Sequence, residues 1–226
     1  MAIHDRHIEH LIARYVKTGD LIALGTSELG KRFLKKLAFA LEEEDVDLWN
    51  VSIVPTSFEI ATIASSFGIK LESINEREVD IAIEFADKVD LQFNYIKADS
   101  SSLVRDKMIA QSAAELIVVT EEKNYSEKLK GTIPFEISTF GWKRTVNQLS
   151  VFGRASLRMK NKKPYRTESG NCLADVVFDE IYDLHDLEFK GKEIPGVLET
   201  GLFLGYADRV ITHNGQVKIK SRMEYK

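Results

Sequence analysis

Two carboxylates, Glu84 and Asp87, follow the segment 80–83, which is a strand candidate. In an open parallel sheet, ligands bind beyond the carboxyl ends of the strands. Glu84 and Asp87 are therefore candidates for a catalytic edge. On this segment alone, a solvated turn is the more common explanation of two such residues.

A lysine and a carboxylate with complementary chemistry follow. The polar stretch 97–102 begins with Lys97 and contains three serines and Asp99, and Arg105-Asp106-Lys107 opens the next helical pattern. Beside a carbonyl, a carboxylate can remove a proton while a lysine stabilises the developing oxyanion. A solvated helix face explains the same segment, and locally it is the commoner case.

The segment 25–30, Gly25-Thr26-Ser27-Glu28-Leu29-Gly30, joins a strand pattern to a helix pattern. Backbone N–H groups and hydroxyls at such a junction can bind a phosphate. The segment matches neither the dinucleotide fingerprint nor the P-loop. A phosphate loop and a simple tight turn both remain open.

Helix and strand patterns alternate through the first half of the chain, and these elements would position the polar residues. Strands are predicted at 21–24, 51–54, 69–74, 80–83 and 116–120, and helices at 8–16, 33–41, 57–68 and 103–114. Ser57 is the expected N-cap of the third helix. This alternation predicts an α/β fold with a Rossmann-like parallel sheet covered by helices on both faces.

The pattern changes near Gly131. One helix is predicted at 142–149, among strands at 157–159, 173–178, 202–204, 209–212 and 217–219. We therefore expect two domains. A larger α/β domain, which carries the candidate catalytic residues, would comprise 1–130 and 205–226, and a smaller inserted α+β lobe would comprise 131–204.

Composition excludes several classes of protein. The chain has 226 residues, of which 44% are hydrophobic, and a formal net charge of −4, so no basic excess indicates nucleic-acid binding. No apolar run approaches the length of a membrane span. The polar N-terminus has no signal-peptide pattern, so a cytoplasmic location is expected. Cys172 is the only cysteine, which excludes an intrachain disulfide and favours a packing role.

Three histidines, His4, His7 and His10, recur at three-residue spacing. This spacing drifts around a helix, and the segment lies at a chain end that is prone to fray. A metal-ligand role is therefore not favoured, and no metal or other cofactor is predicted.

Taken in order, these segments resemble the type A ribose-5-phosphate isomerases over nearly the whole chain. The family's valine-proline-threonine-serine segment is intact at Val54-Pro55-Thr56-Ser57. Its other motifs align with 25–29, 84–87, 97–102 and 105–107, and further on with Glu122-Lys123, Pro134, Trp142, Gly170-Asn171 and 194–203.

The resemblance implies an enzyme of the pentose phosphate pathway that interconverts ribose 5-phosphate and ribulose 5-phosphate through an enediolate. It assigns the base to Asp106, stabilisation of the enediolate oxygen to Lys97, and opening and orientation of the sugar to Glu84 and Asp87. The substrate-binding residues that it implies are Gly25, Thr26, Ser27, Ser100, Ser101 and Lys123. It also implies a homodimer or homotetramer.

Departures from the family pattern cluster at these positions. Glu28 replaces a phosphate-binding hydroxyl; at ~5 Å and an effective dielectric of ~20, one like-charge contact costs about 3 kcal/mol, which is about a hundredfold in affinity. Phe85 replaces a glycine, and Asp99 adds a negative charge to the glycine loop. Asp106 is one methylene shorter than the family's glutamate, which predicts a slow enzyme that Asp106→Glu accelerates.

Three functions follow from these departures. The first is a divergent but active ribose-5-phosphate isomerase. The second is a non-catalytic protein that binds or senses sugar phosphates on the same scaffold. The third is an isomerase of a different substrate, for example an unphosphorylated one.

Overall fold

The structure is a computed structural model, and it describes residues 5–42, 50–178, 181 and 183–222. The helices are α1 (Asp5–Tyr15), α2 (Glu28–Glu42), α3 (Phe58–Ser66), α4 (Leu103–Ser112), α5 (Trp142–Leu149) and α6 (Leu184–Lys192). A short 3₁₀ helix covers Glu122–Asn124. The strands are β1 (Leu21–Leu24), β2 (Ser52–Pro55), β3 (Lys70–Leu71), β4 (Val79–Phe85), β5 (Lys88–Asp90), β6 (Tyr95–Ile96), β7 (Ala113–Glu121), β8 (Tyr125–Ser126), β9 (Gly131–Ile137), β10 (Arg154–Leu157), β11 (Met159–Lys160), β12 (Lys163–Pro164), β13 (Cys172–Phe178), β14 (Val197–Thr200), β15 (Leu202–Phe203), β16 (Arg209–His213) and β17 (Val217–Ser221).

The chain divides into two compact units. Unit 1 comprises Met1–Phe85, Met108–Lys123 and Tyr206–Lys226, and unit 2 comprises Ala86–Lys107 and Asn124–Gly205. The predicted division differs from these bounds at 86–107, 124–130 and 205, because it assigns those residues to the first domain. The predicted assignment of a catalytic domain and a smaller lobe stays a prediction.

Unit 1 contains a seven-stranded sheet in the order β17-β16-β7-β4-β1-β2-β3. Its strand pairs are parallel except for β16 with β17, which is antiparallel. All four residues of β1 are buried, and such a continuous apolar run is typical of a central parallel strand. The predicted α/β class with a mainly parallel sheet is confirmed.

Helical spacing explains the core of unit 1. The buried residues of α1 are Ile8, Leu11, Ile12 and Tyr15, which follow the i, i+3, i+4, i+7 pattern of one helix face. They join apolar residues of α2, α3 and the central strands in one hydrophobic cluster. Burial of each large aliphatic side chain contributes about 1.5–3 kcal/mol to the stability of the fold. The cluster therefore holds in place the strand ends that carry polar residues.

Unit 2 is built on a four-stranded antiparallel sheet in the order β10-β13-β9-β14. One face of the sheet packs on a core that contains Cys172, which is fully buried and therefore has the predicted packing role. A second four-stranded sheet has the order β15-β6-β5-β8 and includes the strand that ends at Ile96, just before Lys97.

Several elements differ from the sequence prediction. The predicted strand 69–74 is reduced to β3, and the predicted strand 157–159 becomes β10 and β11. The sequence pattern does not predict β5, β6, β8, β9, β12, β14 or α6. His4 lies outside the described residues.

Candidate active site

In unit 1, Gly25 lies directly beyond β1 and joins two neighbouring strands. Its N–H donates to Ile83 O of β4 at 2.8 Å. From the other neighbouring strand, the Thr56 hydroxyl donates to Leu24 O at 2.7 Å. The carboxyl ends of β1, β2 and β4 are therefore tied together at one edge of the sheet, where ligand loops of parallel sheets lie.

Hydroxyl groups organise the loops at this edge. Thr26 Oγ1 donates to Ser57 Oγ at 2.7 Å and lies 3.0 Å from Thr56 Oγ1. Ser27 Oγ accepts from Gly30 N at 2.9 Å, which caps the N-terminus of α2. Ser57 Oγ accepts from the Ile60 N–H, so the predicted N-cap of α3 is confirmed.

Glu84 is buried beside Gly25, and its exposed fraction is 1%. A Cβ atom added to Gly25 would lie 2.5 Å from Glu84 Oε2, so a side chain at position 25 would displace the Glu84 carboxylate. Phe85, which stands where the family has a glycine, lies against the same 25–30 segment. Its ring packs near Gly30 and belongs to the border of the unit 1 core.

Glu28 is directed toward solvent, with 88% of its side chain exposed. The Lys31 ammonium lies 2.6 Å from Glu28 Oε1 and 2.7 Å from Glu59 Oε1. The hydrogen bond from Lys31 holds the pKa of Glu28 below its ordinary value. Solvent and the Lys31 ammonium screen the charge of this exposed carboxylate. The strong repulsion of a substrate phosphate that the sequence predicts for Glu28 does not follow from this geometry.

Lys123 follows β7 and is also on the surface of unit 1. Its side chain is 73% exposed and pairs with Glu121 Oε2 at 2.8 Å. The hydrogen bond from Lys123 lowers the pKa of Glu121. The described contacts do not join Lys123 to the Gly25 loop.

In unit 2, a buried lysine and a buried carboxylate form an ion pair. Lys97 Nζ lies 2.8 Å from Asp106 Oδ2, and the two side chains are 1% and 2% exposed. The Ser100 hydroxyl donates to the same oxygen at 2.6 Å. This charge-assisted arrangement places a carboxylate, which is able to accept a proton, beside an ammonium group, which is able to stabilise an oxyanion.

Asp87 orders the loop that follows Lys97. Its Oδ2 atom accepts the backbone N–H groups of Ala98 at 2.6 Å and Asp99 at 3.3 Å. Ser101 contributes through its carbonyl, which accepts from Glu168 N at 2.9 Å. Asp87, Lys97, Ser100 and Asp106 are thus gathered around one loop and the first turn of α4.

Two contacts beside this loop are not anticipated by the sequence interpretation. Arg158 donates to Ala98 O at 2.8 Å and pairs with Asp175. Burial works to lower the pKa of Arg158, but the hydrogen bond and charge of Asp175 outweigh it and raise the pKa. Glu136, on β9, accepts hydrogen bonds from the N-terminal turn of α4. Both residues lie far along the chain from the loop, and the sequence carries no local signal for them.

Within the described ranges, no three histidine, cysteine or acidic side chains gather as a metal site requires. No described helix is long and apolar enough to cross a membrane.

Known proteins resemble this chain along most of its length. The family model for ribose 5-phosphate isomerase A (phosphoriboisomerase A) matches residues 52–216. A ribose-5-phosphate isomerase A of Bacillus mycoides is 34% identical over 210 residues, which cover 90% of this chain and 93% of the relative.

Solved structures agree with this match. A ribose 5-phosphate isomerase A from Methanocaldococcus jannaschii superposes with a TM-score of 0.87 at 30% identity, covering 96% of this chain and 98% of the other. A D-ribose-5-phosphate isomerase in complex with phospho-erythronic acid gives a TM-score of 0.89 at 31% identity, covering 98% and 100%.

The fold and these matches define an α/β isomerase. The chain belongs to the ribose 5-phosphate isomerase A family, and the resemblance predicted from its motifs is confirmed.

Proposed function

We propose that this protein interconverts ribose 5-phosphate and ribulose 5-phosphate by proton transfer through an enediolate, as a step of the pentose phosphate pathway. The observation that carries the proposal is the buried pair formed by Lys97 and Asp106, with the Ser100 hydroxyl on the same carboxylate oxygen. Membership of the isomerase family supplies the reaction class.

In this mechanism, Asp106 removes the proton from C2, next to the substrate carbonyl, and returns it to C1, while the proton of the C2 hydroxyl passes to the C1 oxygen. Lys97 stabilises the negative charge that develops on the enediolate oxygen. Because both side chains are withdrawn from water, their electrostatic interactions with the developing charge are stronger than they would be in solvent. This proton transfer requires no redox cofactor.

The remaining assigned residues bind and orient the sugar phosphate. We assign Glu84 and Asp87 to opening and orienting the sugar. We assign phosphate and hydroxyl binding to Gly25, Thr26, Ser27, Ser100, Ser101 and Lys123. The position of this loop at the N-terminus of α2 supports the phosphate assignment, because backbone N–H groups at a helix N-terminus favour an anion. Phospho-erythronic acid, the ligand of the related structure, is a phosphorylated sugar acid and supports the same ligand class.

We further propose that the protein is a homodimer or homotetramer of the cytoplasm. Light scattering of the purified chain would measure the oligomeric state, and a mass of one 25.6 kDa chain would contradict this assignment.

An assay of the purified protein on ribose 5-phosphate tests the proposed reaction. The expected result is formation of a ketopentose phosphate from ribose 5-phosphate, and formation of ribose 5-phosphate from ribulose 5-phosphate in the reverse assay. Tight binding of ribose 5-phosphate without turnover would instead identify a non-catalytic sugar-phosphate binding protein. Turnover of free ribose alone would identify an isomerase of another substrate.

A further inference from the structure

A buried carboxylate of unit 2 lies outside the residues assigned above. Glu136 is on β9, where Phe135 and Ile137 face the hydrophobic core on one side of the sheet. Side chains alternate along a strand, so Glu136 faces the opposite side. Its exposed fraction is 0%, and a charged group there is stabilised only when hydrogen bonds replace water.

Glu136 accepts hydrogen bonds from four donors, which belong to two separate segments. From the start of α4, the Ser102 hydroxyl donates at 3.1 Å and the Val104 N–H at 3.0 Å, both to Oε2. From the loop before β13, the Thr167 hydroxyl donates at 2.8 Å and the Asn171 amide at 2.9 Å, both to Oε1. The carboxylate therefore joins the N-terminus of α4 to the rest of unit 2.

Ser102 connects this carboxylate to the proposed base. The Ser102 carbonyl accepts the Asp106 N–H at 3.1 Å, which is the first hydrogen bond of α4. Its hydroxyl oxygen accepts the Arg105 N–H at 3.4 Å while donating to Glu136. Two residues earlier, Ser100 donates to the Asp106 carboxylate. A shift of Ser102 would therefore move the base and its hydrogen-bond donor together.

We propose that Glu136 is a positioning residue that fixes the N-terminal turn of α4 and, through Ser102, the carboxylate of Asp106. The catalytic part of this inference rests on the proposed function of Asp106. Glu136 does not touch the reacting atoms, and it acts by holding the base in a reactive geometry. A misplacement of about 1 Å costs about a hundredfold in rate.

Glu136→Gln tests the proposal with little change in size. All four partners of Glu136 donate hydrogen bonds to it. The NH₂ group of glutamine is also a donor, so it would face at least one other donor. The Val104 N–H belongs to the backbone and cannot rotate to relieve such a contact. We expect kcat to fall about 10- to 100-fold while KM changes by less than about threefold. We also expect faster hydrogen exchange of the backbone N–H groups of 104–106 in the free protein.

Two further variants separate positioning from general stability. Thr167→Val removes one donor from Glu136 and should lower kcat in the same direction by a smaller factor. Asp183→Ala removes the N-cap of α6 and should lower the melting temperature without a fall in kcat or faster exchange at 104–106.

The outcomes distinguish this inference from the proposed function. An unchanged kcat and unchanged exchange in Glu136→Gln would overturn the positioning role. If Glu136→Gln does not fold, an unchanged kcat and exchange in Thr167→Val would overturn it instead. A wild-type protein without isomerase activity would contradict the proposed function, whereas faster exchange at 104–106 in either variant would still support the structural role of Glu136.

Discussion

Lys97 Nζ and Asp106 Oδ2 lie 2.8 Å apart in an environment that excludes nearly all solvent. Withdrawing two charges from water is costly, and their attraction repays the cost only when further hydrogen bonds complete the arrangement. The Ser100 hydroxyl supplies one such bond to Asp106. The pair is not a surface feature, and it contains the two groups that the proposed proton transfer uses.

Replacement of Lys97 by methionine should lower both kcat and the free energy of unfolding. Methionine keeps most of the side-chain length but leaves the Asp106 carboxylate buried without its cation. Loss of one partner from a buried pair costs about 3–5 kcal/mol of folding stability. Loss of an oxyanion stabiliser costs about 10²- to 10³-fold in kcat. Denaturant titration and steady-state kinetics measure the two effects.

A second substitution separates these effects. In Lys97→Met/Asp106→Asn both charges are removed, so much of the lost stability should return while activity stays absent. A double variant no more stable than Lys97→Met would show that the buried charge of Asp106 is not what destabilises the single variant.

Substitution of Asp106 by glutamate should slow the enzyme. The sequence comparison predicts acceleration, because the family has a glutamate at this position. The structure revises that prediction, since the Asp106 carboxylate already reaches both Lys97 and Ser100 and its side chain is 2% exposed. An added methylene in a packed site costs about 1–3 kcal/mol. A higher kcat in Asp106→Glu than in the wild type would contradict this expectation.

The sequence predicts the scaffold of unit 1 well, and the reason is local. β1, β4, α1 and the Ser57 cap of α3 each depend on the periodicity or capping chemistry of one short segment. The sequence pattern does not predict β9, because this strand contains Pro134 and proline is uncommon inside strands. α6 was missed because Gly191 and few buried apolar residues weaken its helical pattern.

Substitution of Glu28 should change substrate affinity only slightly. Its carboxylate is 88% exposed and paired with Lys31, and exposed pairs of this kind contribute at most about 1 kcal/mol. We therefore expect Glu28→Thr to tighten ribose 5-phosphate binding by less than about fivefold, rather than the hundredfold that the sequence suggests. Calorimetric titration measures the change.

Glu28→Gln is the matched control for size, and it should bind within about twofold of Glu28→Thr. A gain of about a hundredfold in either variant would show that Glu28 faces the bound phosphate.

The acid stability of the protein should depend on Glu199. Burial works to raise the pKa of this carboxyl, but the Lys107 ammonium, the Thr200 N–H and Lys192 outweigh it and lower the pKa below the ordinary value of 4.5. A depressed pKa gives stability that is present above the ordinary pKa and is lost as the pH falls through the folded-state pKa. The melting temperature of the wild type should therefore fall below about pH 4.5, and Glu199→Gln should fall less steeply.

Glu193→Gln is the control, because Glu193 is an exposed glutamate close by in the chain. Its melting curve should follow the wild type across the same pH range. Equal acid slopes in the wild type and Glu199→Gln would contradict the role of Glu199.

The candidate site is predictable from sequence only in its residue types. The family resemblance assigns proton transfer to Lys97 and Asp106, whereas the local pattern alone favours a solvated helix face, and the structure joins the two residues in one ion pair. The contacts of Glu136 with Ser102 and Thr167 depend on long-range strand pairing, which no local pattern encodes. The exposure of Glu28 and its pairing with Lys31 depend on side-chain conformation, which a sequence alignment does not show.

Asp106→Asn provides the most direct test of the proposed reaction, since it keeps the size of the side chain and removes the base. Proton exchange at C2 of ribose 5-phosphate in deuterated water, followed by NMR together with formation of ribulose 5-phosphate, measures proton abstraction itself. We predict exchange and turnover in the wild type and a loss of both by at least about 10²-fold in Asp106→Asn. Wild-type rates of exchange and turnover in Asp106→Asn would contradict the assignment of Asp106 as the base.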